Sequence, residues 1–300
     1  MKFGAIDIGT NAARLLIGEV IQEDGKKFVN KVSYTRIPLR LGESVFESGR
    51  INKRKSEQFV KTMRAFQLIS ELFEVKELRA CATSAMREAK NGKKIKNKIF
   101  QETGIEVETI SGNEEANLIF GTFFLMDIDK AKPFMVVDVG GGSTEISVFS
   151  NGNREISQSF EIGTLRLLKG KTKETVWQEI YQWLDEHMPG GDFTFYATGG
   201  NINKAHKLVG GVNIEPVELE KLKKLKNDLS ALKLRQRMEQ YQLKPDRADV
   251  LVPALEIYCN IMEKIQCHEV VVPKIGLSDG IIYDLHKKHR KRKQTADKTE

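Results

Sequence analysis

The tetrapeptide Ile6-Asp7-Ile8-Gly9 returns, with conservative changes, as Val137-Asp138-Val139-Gly140, 131 residues further along the chain. Each copy runs an apolar stretch into an aspartate, breaks at a glycine turn and continues into a second apolar stretch. The first reads AIDIGTNAARLLIGEV and the second VVDVGGGSTEISVF. A duplication of this length implies two structurally related folding units. The boundary is expected within Gly121 to Lys132, giving a first domain over 1–124 and a second over 125–300. A C-terminal helix over 279–293 is available to pack back on the first domain.

Between the copies, strand-like and helix-like stretches alternate, the pattern of an α/β chain. Apolar residues at helical spacing predict an amphipathic helix over Lys53 to Phe73, with Phe59, Met63 and Phe66 on one face. Leu78 to Thr83 and Ile105 to Ile110 read as strands, and Lys94 to Thr103 as a helix closed by Gly104. The run SGNEEANLIFGTFFL opens with a capping pattern and becomes helical. In the second half, helices are expected over Thr175 to His187, over Asp249 to Met262 and, as one or two surface pieces, over Glu215 to Leu243. Phe193 to Ala197 reads as a strand ending in TGGN.

With 300 residues and 40% hydrophobic content, both domains have enough apolar material for their own cores. Staples are unnecessary, and Cys81, Cys259 and Cys267 show no ligand-like spacing. They are expected to be buried, reduced thiols, which points to a cytoplasmic protein. The chain passes from Met1 and Lys2 into Phe3 to Ile8 without the layout of a signal peptide, and no apolar run is long enough to span a bilayer. Of the net charge of +7, six units lie on Lys287, Lys288, Arg290, Lys291, Arg292 and Lys293. That run is expected to be a solvated, frayed tail, not a specific nucleic-acid surface.

The duplicated turns carry the chemistry. Glycine tolerates positive φ and lets backbone N–H groups converge on phosphate oxygens. An adjacent aspartate, Asp7 or Asp138, suits magnesium, a hard cation that takes oxygen ligands and neutralises phosphate charge. One such turn would be an ordinary hairpin; two at matching positions favour a phosphate site.

The segments DIGTNAARLLI, ATSAMREAKNG, ISGNEEANLIFG, VVDVGGGSTEISVF, ATGGNI and DRADVLVPALEI, in this order, resemble the exopolyphosphatase and guanosine pentaphosphate phosphatase family of the actin-like superfamily. The resemblance implies two actin-like, ribonuclease H-like α/β domains with an active-site cleft between them. It implies that Glu115 orients or deprotonates the attacking water, that Arg87 contacts phosphate and that Glu145 helps organise metal or water. Gly9, Thr10, Asn11, Thr83, Ser84, Gly140, Gly141, Gly142, Ser143 and Thr144 would then bind phosphate, with Asp7 and Asp138 at magnesium. Local physics offers alternatives: an acidic first helical turn for Glu114 and Glu115, a surface ion pair for Arg87 and a helix cap for Ser84. Thr198-Gly199-Gly200 stands where nucleotide-binding relatives approach the nucleoside, and is equally readable as a structural turn.

Two departures from the family pattern stand out. GTNAA replaces the common GSNS, so Ala12 lacks a hydroxyl, and GLSDG replaces a segment where relatives carry an arginine, so Ser278 brings no positive charge. The resemblance implies a magnesium-dependent exopolyphosphatase; lacking the further C-terminal helical domain of longer relatives, it is expected to prefer short chains. Alternatives are a guanosine pentaphosphate phosphohydrolase, a ppGpp- or polyphosphate-binding sensor without turnover, and a sugar or acetate kinase. Dimers are common in the family, which makes a homodimer the expected assembly.

Overall fold

A computed structural model of the chain describes all residues other than 124, 127, 130, 213 and 297–300, and the side chain of 296 is also left aside. The chain divides into two units. One comprises Met1–Ile128 with Ile275–Glu300, and the other Asp129–Lys274.

The first unit is built on strands β1 (Phe3–Ile8), β2 (Ala13–Glu23), β3 (Lys26–Ile37), β4 (Glu77–Ala82) and β5 (Val107–Thr109). They form one sheet in the order β3-β2-β1-β4-β5. β1 pairs antiparallel with β2 and parallel with β4, so every residue of this central strand is buried. A parallel neighbour requires a crossover, and helix Lys53–Leu72 supplies it. Asn52 caps that helix by accepting a hydrogen bond from Lys55 N–H at 2.9 Å. Phe59, Met63 and Phe66 lie fully buried along its inner face, each worth about 1.5–3 kcal/mol of hydrophobic stabilisation.

The second unit repeats this plan with β6 (Phe134–Val139), β7 (Thr144–Ser150), β8 (Asn153–Phe160) and β9 (Thr194–Thr198), in the order β8-β7-β6-β9. β6 is antiparallel to β7 and parallel to β9, as β1 is to β2 and β4. Its core joins Met135, Val137, Ile146, Ile180, Phe195 and Leu222 to the apolar face of helix Leu251–Lys264.

Two features depart from the sequence expectations, the third strands and the basic run. The third strands, β3 and β8, carry mostly half-exposed or exposed side chains; an edge strand with little burial leaves only a weak apolar alternation. The last helix, Leu277–Ala296, groups with Met1–Ile128 in the first unit. It packs on helix Gly112–Phe123 and on β1 and β2, and Gly280 lies so close to the Leu118 carbonyl that no Cβ would fit. Asp279 in the GLSDG segment pairs with Lys31 at 2.8 Å, which gives that motif a docking role. Finally, the basic run is not frayed: the helix continues through it. Lys288 pairs with Asp284 at 2.8 Å, while His289 at 3.0 Å and Arg292 at 2.6 Å both reach Glu77.

Cys81 and Cys259 are buried, Cys267 is half-buried, and all three are free thiols. Among the described residues no helix is long and apolar enough to cross a membrane.

Candidate active site

The two glycine turns share one backbone plan. Gly9 N–H donates to Ala12 C=O at 3.0 Å, and Gly140 N–H donates to Ser143 C=O at the same distance and the same 131-residue offset. In each unit the loop carbonyls are then taken up by the start of the next helix. Gly42 N–H donates to Thr10 C=O at 3.0 Å, and Leu165 N–H to Gly141 C=O at 2.8 Å. The carbonyls of Gly140, Gly141 and Gly142 are bonded to Thr164, Leu165 and the Arg166 guanidinium. Among the described residues no acceptor meets the N–H groups of Gly141, Gly142 and Ser143. Backbone N–H groups without an acceptor in a glycine turn are available to an anion.

Gly163 makes the arrangement possible in the second unit: a Cβ there would lie 2.5 Å from Gly142 N and 2.6 Å from the carbonyl carbon of Gly141. Thr144 is completely buried and its hydroxyl donates to Ile162 C=O at 2.7 Å. The resemblance expects Thr144 at phosphate; its hydroxyl ties the start of β7 to the segment that follows β8.

The duplication also shows where the halves diverge. Asp7 stands opposite Arg14 across the β1–β2 pair, and Asp138 stands opposite Glu145 across β6–β7. In the first unit that pairing is a salt bridge, Arg14 Nη1 to Asp7 Oδ2, on a carboxylate only 5% exposed. The expected role of Asp7 as a magnesium ligand therefore meets a competing guanidinium. In the second unit two carboxylates face one another, with Glu145 Oε1 accepting from Ser159 Oγ at 2.8 Å. A pair of oxygen donors on one sheet face fits a hard divalent cation whose other ligands are phosphate and water. Among the described residues no cluster of three or more His, Cys, Asp or Glu side chains could hold a metal without them.

Arg87 and Glu115 come together in the first unit. Helix Ser84–Glu88 follows β4 and presents Arg87, whose Nη1 donates to Ile110 C=O at 2.7 Å. Helix Gly112–Phe123 begins where Ser111 Oγ accepts from Glu114 N–H at 3.1 Å. Its first turn splits two adjacent acids: Glu114 goes to Arg79 at 2.7 Å, while Glu115 Oε2 lies 3.7 Å from Arg87 Nη1. Helical geometry turns neighbours about 100° apart, so only one of the pair can face Arg87.

Thr83, not Ser84, occupies the cap position of helix Ser84–Glu88, and without a side-chain bond to the helix. The Ser84 hydroxyl instead lies 3.2 Å from Thr10 Oγ1, which also accepts from Ala85 N–H at 3.3 Å. Thr10 thus joins the first glycine turn to the segment bearing Arg87. Asn11 C=O is held by Arg40 N–H at 2.8 Å, with Arg40 in the left-handed region at φ 49°. Arg40 and Lys55 both reach Glu43, at 2.6 and 2.9 Å. Glu43 is partly desolvated, which would raise its pKa, yet these two cations hold it below the ordinary carboxylate value.

Arg14, Tyr258 and Gly163 were missed by sequence reasoning. Tyr258 accepts from Val139 N–H at 3.1 Å and donates to Thr198 C=O, bridging the strand ends on either side of Asp138. Burial first, then the charges of Asp138 and Glu145, hold its hydroxyl well above the usual tyrosine pKa, so it remains a donor. A polar aromatic within the apolar run VLVPALEIYCNIM was the available signal. Gly199 completes the brace: at φ 112° its Cα faces Asp138, where a Cβ would lie 2.9 Å from Oδ1, which makes TGG a structural turn here. The Tyr258→Phe variant should lose about 1–3 kcal/mol of unfolding free energy in a denaturant titration, since both strand-end groups stay buried without a partner. Unchanged stability would show that the hydroxyl braces nothing. Cys81, aligned with Asp7 on β4, takes no part as a thiolate, because burial pushes its pKa up to about 12.

Two glycine-loop α/β units of matching strand order, one carrying an arginine beside a glutamate and the other an acidic pair beside a glycine turn, define a protein of the actin-like fold class. The Ppx/GppA phosphatase family model matches residues 20–289, and the chain belongs to that family. Exopolyphosphatase 1 of Mycobacterium tuberculosis is 30% identical over 190 residues, covering 63% of this chain and 51% of its own length. Exopolyphosphatase 2 of the same organism is 34% identical over 180 residues, covering 55% and 53%. The chain thus spans about half the length of the curated relatives it matches. Two solved structures share the fold across nearly the whole chain. An Aquifex aeolicus Ppx/GppA family member has a TM-score of 0.76 and 23% identity, covering 96% of this chain and 98% of that one. A Cytophaga hutchinsonii exopolyphosphatase has a TM-score of 0.81 and 22% identity, covering 95% and 97%.

Proposed function

We propose that this chain is an exopolyphosphatase that removes the terminal phosphate of inorganic polyphosphate as orthophosphate. The observation that carries this reading is the Arg87–Glu115 pair at 3.7 Å, a phosphate-binding fork beside a carboxylate able to take a proton from water. Arg87 holds non-bridging oxygens of the terminal phosphate. Glu115 orients a water molecule and accepts its proton as the water oxygen bonds to phosphorus. The bond from phosphorus to the bridging oxygen breaks, and a chain one phosphate shorter leaves. In the second unit the N–H groups of Gly141, Gly142 and Ser143 offer fixed dipoles to phosphate oxygens, as the turn at Gly9 to Asn11 does in the first. Such transfer depends on positioning and electrostatics and needs no covalent nucleophile. Magnesium, when bound, neutralises phosphate charge, and Asp138 and Glu145 are the residues that would hold it.

A substrate panel tests the reading. Phosphate release is measured from tripolyphosphate, long-chain polyphosphate, guanosine pentaphosphate and ATP with an acceptor, at matched magnesium and again with a chelator. Magnesium-dependent release from polyphosphate above the others is expected. Preferential release from guanosine pentaphosphate would reassign the substrate. No release from any of them, with tight ppGpp binding, would replace the enzyme by a sensor.

A further inference from the structure

Two open depressions adjoin on the first unit around helix Gly92–Thr103. One, of about 750 Å3, is lined by Arg87, Lys90, Lys93 and Lys96. The other, of about 770 Å3, shares Lys90 and Lys93 and adds Arg50, Lys94 and Lys98. Among the described residues the only carboxylates on these walls are Glu106 and Glu102, and Glu102 is already paired with Arg64 at 3.0 Å and Lys98 at 3.7 Å. Arg50, Lys90, Lys93 and Lys94 are exposed and have no carboxylate within ion-pair distance among the described residues. Lys93 and Lys94 stand in the first turn of their helix, which has no acidic residue there. The helix dipole disfavours cations at that end, so neither helix stability nor internal pairing accounts for them. Among the lining residues Phe100 is the one aromatic against seven cations; the surface is built for phosphate charge, not for stacked bases.

We infer that this cationic groove is a track for the body of a linear polyphosphate chain whose terminal phosphate lies at Arg87. The inference rests on the function proposed above and deepens it. Arg87 lines the first depression, and Lys90 and Lys93 carry the positive wall on into the second. Chains of many phosphates therefore gain contacts that tripolyphosphate is too short to reach, which reverses the expected preference for short chains. The concentrated positive field also steers such chains towards the groove.

The test uses the full chain with Arg50→Gln, Lys90→Gln, Lys93→Gln and Lys94→Gln combined. For long-chain polyphosphate, KM is expected to rise roughly tenfold or more with kcat unchanged, while both constants for tripolyphosphate stay the same. An equal change for both substrates, or none for the long chain, overturns the track. A second measurement follows long-chain polyphosphate binding to Glu115→Gln as a function of salt, with and without the four substitutions. Removing four charges should lower the slope of log affinity against log salt by about 3, at about 0.7 per charge on a single-stranded polyanion. Equal competition by single-stranded DNA of matched charge would also overturn the track, in favour of a general nucleic-acid surface. If the unmodified protein hydrolyses no phosphoanhydride yet binds long polyphosphate through these residues, the functional reading fails and the track stands. If hydrolysis holds and the slope does not move, the track alone fails.

Discussion

Glu115→Gln is expected to lower kcat on polyphosphate by about 10²–10⁴-fold, the usual contribution of a positioned general base. The amide keeps the size and the helical position of the glutamate but cannot accept the proton that the attacking water must lose. Substrate binding should persist or tighten, because Arg87 keeps its bond to Ile110 C=O at 2.7 Å and loses an anionic neighbour that competes with phosphate. The fold should be little affected, since the Glu115–Arg87 contact is long at 3.7 Å and the amide fills the same volume. Steady-state kinetics beside equilibrium binding separates the two effects. Turnover near that of the unmodified protein would remove Glu115 from the mechanism, and loss of binding in step with turnover would make it a substrate contact. Glu114→Gln is the control: its carboxylate is committed to Arg79, and turnover should stay within a small factor of normal.

Gly163→Ala is expected to reduce kcat about 100-fold without unfolding the protein. The new methyl would lie between 2.5 and 2.7 Å from backbone atoms of Gly141 and Gly142, closer than real Cβ contacts come, and backbone on both sides cannot rotate away. The loop must move by a few tenths of an ångström or more, and displacements approaching 1 Å at a positioning group cost about that factor. Because Gly163 is at extended φ, the substitution brings no backbone strain of its own. The loss therefore reports loop displacement, read as impaired kcat with a thermal midpoint lowered by only a few degrees. Normal kcat would show that the Gly140–Ser143 turn does not cradle the reacting phosphate. The substitution at the matching helix start, Gly42→Ala, should act similarly through the Thr10 methyl group.

How legible the site was depended on whether its signal was local. Both glycine turns, the strands leading into them and the helix bearing Glu115 were readable because each is encoded within a dozen consecutive residues. Thr10 and Ser84, 74 positions apart, could be assigned to phosphate by resemblance, but their hydrogen bond could not be read from spacing. Thr144 is a like case: the resemblance expects it at phosphate, and nothing local shows that its hydroxyl donates to Ile162 C=O. The edge strands β3 and β8 escaped notice because they bury little, and burial is what imprints a period on sequence.

From the sequence alone came the duplication, the α/β class, the acidic and glycine-rich character of both turns and the family to which the chain belongs; these follow from patterns of adjacent residues and their order. Tertiary structure decided what each charged group is free to do. It gave Asp7 to Arg14 but set Asp138 against Glu145, sent Glu114 to Arg79 and Glu115 to Arg87, and brought the last helix back to the first unit. The physical reason is that a carboxylate's chemistry depends on which charges and dipoles lie within a few ångströms, and those neighbours come from residues far apart in the chain.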